Sequence, residues 1–111
     1  MKNDIEKVLL SMREYLKEYR KDAGYKKKDI KQVGEILKKY YEQVAQAENN
    51  NEKILMALKN VVLSLNEINE KTDYCLIETD QREDLCEFIS KVAESCGFDM
   101  SNDPTYEWRE W

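Results

Sequence analysis

The chain has 111 residues, 41% of them hydrophobic and 37% charged, with a net charge of −5, three glycines, one proline and no histidine. That length holds one domain, and the regular recurrence of Leu, Ile, Val, Tyr and Met separates it from disordered acidic segments. No apolar run approaches the ~20 residues that span a bilayer, and the opening MKNDIEKVLLSMREYLKEYR lacks the apolar core and cleavage site of a secretory signal, so the expected setting is the cytoplasm, away from membranes.

In the first segment Ile5, Val8, Leu9, Met12, Leu16 and Tyr19 recur at steps of three and four opposite Lys, Arg and Glu, which predicts an amphipathic helix over 3–22. Gly24, just past Lys21 and Asp22, is its stop signal. Asp29 is placed to cap a second helix over 29–48, whose apolar face is Ile30, Val33, Leu37, Tyr40, Val44 and Ala47. Asn49, Asn50 and Asn51 break the pattern because asparagine competes with helix through its own side-chain hydrogen bonds.

A third helix from Glu52 to about residue 70 carries the most apolar stripe, Ile54 through Ile68, and is expected to lie centrally. The pattern lapses through KTDYCLIETDQ, where 74–79 could run extended, and resumes at Leu85, Phe88, Ile89, Val92 and Cys96. Asp80 and Glu83 have the spacing of a capping box, and Gly97 that of a C-cap. In the final stretch Asp103 and Pro104 predict one short terminal turn bearing Tyr106, Trp108 and Trp111, with the two tryptophans at helical i, i+3 spacing.

The expected fold is therefore all-α: an antiparallel four-helix bundle over 1–97, with an aromatic tail over 98–111 packed on or near it. The rival is a helical hairpin that completes its core by dimerising. The tail is expected to cover a bundle end, with Trp111 left partly exposed, and tyrosines 15, 19, 40 and 41 are expected to border the core.

Charge is unevenly distributed: residues 1–44 hold 12 basic and 8 acidic side chains, whereas residues 45–111 hold 6 and 15. A concentrated negative field attracts basic partners and speeds encounter. The acidic residues in question are Glu67, Glu70, Asp73, Glu78, Asp80, Glu83, Asp84 and Glu87. Tyr74, Gln81 and Trp111 complete the candidate partner-binding set. Arg82 is read as a structural ion-pair partner of Glu78 at i, i+4 or of a neighbouring helix. The basic cluster Arg20, Lys21, Lys26, Lys27, Lys28 and Lys31 is read as a solvated turn or a patch pairing with the acidic half, because no nucleic-acid motif accompanies it.

Without histidine there is no Ser-His-Asp triad, Cys-His pair or HExxH zinc site, and no glycine-rich phosphate loop occurs. Cys75, Cys86 and Cys96 are odd in number and lack CxxC spacing, so no disulfide framework or zinc site is expected, and Cys86 and Cys96 are read as small packing residues. Glu14 with Glu18, and Glu83 with Glu87, have the spacing of common exposed-face pairs, and an enzyme working with carboxylates and tyrosines alone, the third and least favoured class, would need a pKa shifted by burial. No metal or cofactor is expected. The pattern points to a non-catalytic, protein-binding module of the immunity or antitoxin type that covers the basic site of a toxin such as a nuclease. The alternative is a self-associating helical scaffold, for example a homodimer.

Overall fold

The structure, a computed structural model, describes residues 2–111, with the side chains of Lys2 and Lys21 outside the described residues. Four helices pack against one another as a bundle: α1 (Lys2–Tyr19), α2 (Lys27–Ala45), α3 (Asn51–Lys71) and α4 (Thr79–Ser95). Two short 3-10 turns, Arg20–Ala23 and Pro104–Glu107, complete the order, and there is no strand among the described residues.

The start and stop signals explain most of the boundaries. α1 tightens into the first 3-10 turn, which ends at Gly24 with φ 81, a left-handed conformation that glycine adopts without steric cost. A Cβ at Gly24 would lie 2.6 Å from both Cβ and Sγ of Cys75, so the α3–α4 connection packs directly on this turn. The Asn50 side chain caps α3 by accepting from the Lys53 amide at 3.1 Å. At the end of α4, Gly97 has φ 82, and the Phe98 and Gly97 amides donate to Ala93 and Glu94 carbonyls, a Schellman motif.

Two expected caps are corrected. Asp29 is not the N-cap of α2: Lys26 occupies that position, and Asp29 lies at the third helical residue, where its carboxylate accepts from the Lys26 amide at 2.8 Å. Asp80 and Glu83 form no capping box either, since α4 begins at Thr79 after an N-cap Glu78 that makes no side-chain cap bond. In both cases the helix starts earlier than the first apolar repeat because polar residues extend its first turn.

Cross-helix bonds fix the register. Lys91 donates to Asp4 at 3.1 Å, Lys7 pairs with Glu87 at 3.9 Å, and Gln81 donates to Ser11 at 3.2 Å, so residue numbers fall along α4 as they rise along α1. α1 is thus antiparallel to α4. Short connections place α2 antiparallel to α1 and α3 antiparallel to α2. The core closes within one chain around Met12, Leu37, Tyr40, Leu58, Leu65 and Leu85, all fully enclosed. The Tyr40 hydroxyl donates to the Ile89 carbonyl at 2.7 Å, tying the middle of α2 to α4. α3 contributes buried residues from Ile54 to Asn69 and packs most broadly on α2, in keeping with its apolar stripe.

α3 and α4 touch each other sparsely, and the C-terminal tail bridges them. Asn66, buried on α3, donates from Nδ2 to the Trp108 carbonyl at 2.8 Å and accepts from the Glu110 amide at 3.1 Å. Arg109 reaches α4, donating to Cys86 Sγ at 3.0 Å and to Asp103 at 3.1 Å. Asp103 caps the terminal turn through the Thr105 amide, as its position before Pro104 implied. That turn ends at Glu107, so Trp108 and Trp111 do not share a helical face. They pack against the core as individual, partly buried rings.

Candidate functional site

The acidic residues gather around the α3–α4 connection at the bundle end where α1 finishes and α2 begins. Glu67 and Glu70 are exposed on α3, Asp73 and Glu78 on the connection, and Asp80, Glu83 and Glu87 on α4, while Asp84 is half-buried. Glu87 is engaged by Lys7 across to α1. Arg82 is exposed and makes no ion pair with Glu78 among the described residues, contrary to the sequence expectation.

The connection is cross-linked by hydrogen bonds despite its length. The Tyr74 amide donates to the Asn69 carbonyl at 2.7 Å, the Asn69 side chain accepts from the Ile77 amide at 3.1 Å, and the Thr72 hydroxyl donates to the same Asn69 carbonyl at 3.0 Å. Asp73 and Tyr74 take left-handed φ values of 57 and 62. This turn leaves Leu76 and Ile77 buried and the Tyr74 ring 54% exposed. Gln81 is corrected: it is 4% exposed and bonded to Ser11, so it supports the acidic end from beneath. Glu78 lies close enough to Tyr15 that its charge reinforces desolvation in raising the Tyr15 hydroxyl pKa.

Trp111 is half-buried, with the Arg109 guanidinium 5.4 Å from its ring centroid, while Tyr106 is the tail's exposed aromatic at 77%. Of the tyrosines expected at the core margin, Tyr40 is fully buried, Tyr15 half-buried, and Tyr19 and Tyr41 largely exposed. The three cysteines are free and half-buried. Burial pushes the Cys86 thiol pKa up, opposed by Arg109.

A further concavity lies elsewhere. A groove of about 1900 Å³ runs along the outer seam of α1 and α2. Ile5, Leu9, Leu16, Tyr25 and Ile30 form an apolar floor, pinched where Gly34 lets Leu9 approach closely. Arg20, Lys26, Lys27, Lys28 and Lys31 line one end, joined by Lys17 and Lys71; Glu6, Arg13, Glu35, Lys38 and Glu42 line the other stretch. The basic cluster is therefore the rim of a groove rather than a solvated turn alone, with the Lys21 side chain outside the described residues. The sequence signal for it was the run of lysines at the junction of two apolar stripes.

For chemistry, Asp29 is the buried carboxylate among the described residues, and it is occupied at the start of α2. Glu14, Glu18, Glu83 and Glu87 are all exposed. Among the described residues no three His, Cys, Asp or Glu side chains converge as a metal site, and no helix is long and apolar enough to cross a membrane.

These features define a small all-helical bundle with a tail-sealed flank and two chemically distinct surfaces. A family model, described as a family of unknown function (DUF5713), matches residues 9–111, and the chain belongs to that family. No curated protein and no solved structure matches it.

Proposed function

We propose that the chain is a non-catalytic protein-binding module that uses the acidic end around the α3–α4 connection to cover a basic surface on its partner, in the manner of an immunity protein or antitoxin. The observation that carries this reading is Tyr74, exposed on a hydrogen-bonded turn in the segment that also bears exposed Asp73 and Glu78, between Glu70 on α3 and Asp80 on α4. An exposed aromatic on a hydrogen-bonded backbone turn has less chain to order on docking, and carboxylates of the same segment would steer a cationic partner while the ring supplies desolvated contact. A nuclease toxin, whose active site must hold phosphate, is the partner type that fits this charge.

A second reading, a self-associating scaffold in the cytoplasm, draws on exposed Met56 and Leu63, which lie seven residues apart and so near one face of α3, with Leu55 beside them. Affinity capture with tagged chain from source cells separates the two. The inhibitor reading expects a basic partner, identified by mass spectrometry, that is retained at low salt and reduced at high salt or by Tyr74→Ala and by Glu78→Arg with Asp80→Arg. Recovery of this chain alone, indifferent to salt and to those variants, would reject it.

A further inference from the structure

We infer that the α1–α2 groove is a docking site for an acidic amphipathic helix supplied by a partner protein. This is independent of the role given to the acidic end.

Size sets the class of occupant. The groove follows the chain from Ile5 on α1 to Arg20 at the start of the 3-10 turn, about 23 Å at the helical rise, which a partner helix of roughly 15 residues would match. Its volume of about 1900 Å³ exceeds the ~300–1,000 Å³ usual for small-molecule pockets, and it is an open trough. The floor sets the occupant's inner face. Ile5 and Leu16 remain only partly buried beside buried Leu9 and Ile30, so a partner's i, i+3, i+4 and i+7 apolar residues would complete the seam as a helix in a groove.

The rim sets the charge. Lys17, Arg20, Lys27, Lys28, Lys31 and Lys71 are all exposed, and none is in a salt bridge among the described residues. Arg13, further along, is already paired with Glu6 at 3.0 Å, and Asp29 is buried at the α2 start. The groove is thus most positive at the α1–α2 turn and mixed towards Glu35 and Glu42, which assigns the occupant's most acidic end to that turn. A nucleic-acid strand would use the lysines but leave the apolar floor uncovered.

The test is a chemical-shift titration of the full isotope-labelled chain with four probes. These are a 16-residue peptide with leucines at i, i+3, i+4 and i+7 and glutamates elsewhere; the same composition scrambled; its lysine counterpart; and a single-stranded oligonucleotide. The acidic amphipathic peptide is expected to give saturable shifts along 5–31, gain helix by circular dichroism, and bind at least about tenfold more tightly than the scrambled or lysine peptide. Lys28→Glu with Lys31→Glu, which changes only exposed side chains, should weaken it about tenfold or more while leaving the protein's own spectrum dispersed. Equal binding of the scrambled peptide, saturation of the groove by the oligonucleotide alone, shifts confined to other faces, or no saturable response to the acidic peptide would each overturn the assignment.

Discussion

Between α3 and α4 the chain lays its own tail, with Trp108 and Trp111 against the core and the backbone latched by both ends of the Asn66 amide, whereas the seam between α1 and α2 is left as an open trough with charged walls. Both seams present apolar side chains, but only one has a cover within the chain. α3 and α4 thus do not complete the bundle by themselves: aromatic area and a buried polar latch supplement their sparse direct contact. The α1–α2 pair, pressed together at Gly34 and Leu9, closes the core without such a cover and can present its outer seam to a partner.

The strongest way to break this contrast is Asn66→Ala. It removes a donor and an acceptor from a buried site and strands the Trp108 carbonyl and Glu110 amide, so urea unfolding should register a loss of about 3 kcal/mol, with the tail's exchange protection falling first. Gly24→Ala tests where the open groove ends. The new methyl would meet Cys75 at 2.6 Å with φ at 81, and a loss of about 2 kcal/mol in the same assay is expected.

Tyr40→Phe probes the core shared by both flanks. Losing its bond to the Ile89 carbonyl should cost about 1–2 kcal/mol at neutral pH. Burial raises the Tyr40 and Tyr25 hydroxyl pKa values well above the ordinary 10.0. A raised folded-state value means the unfolded chain releases its protons first, so this contribution is intact below about pH 10 and declines as pH rises above it. Unfolding midpoints measured from pH 8 upward should therefore hold to about pH 10 and fall above it in the wild type, and fall less steeply in Tyr40→Phe. Smallest of all, Lys28→Glu with Lys31→Glu on the open flank should shift stability by less than ~0.5 kcal/mol, because both side chains are exposed.

Much of the architecture was legible in the sequence. Three-four spacing located all four helices, Gly24, Asn50 and Gly97 marked their ends, and Asp103 with Pro104 located the terminal turn. The displaced starts at Lys27 and Thr79 escaped because polar first turns carry no periodicity. The lysine run between two apolar stripes marked one end of the groove, but its length was not legible, because a stripe read along one helix does not reveal how far its edge stays uncovered after packing. Gln81 lay in a run of charges and looked exposed, yet its position four residues before Leu85 turns it inward toward Ser11. Asn66 within the α3 stripe was a polar residue on an apolar face, and its partners, the Trp108 carbonyl and Glu110 amide, lie more than forty residues away. The acidic candidates were mostly placed at one end as charge counting suggested, but counting gave no reason to single out the turn that holds Tyr74.

The proposed function has the acidic end meet a basic partner. Hydrogen exchange of the chain, free and in the complex captured from its source cells, tests it most directly. Exchange is expected to slow across 70–84 in the complex, centred on the backbone around Tyr74. A stable complex that leaves 70–84 exchanging as in the free protein would contradict it.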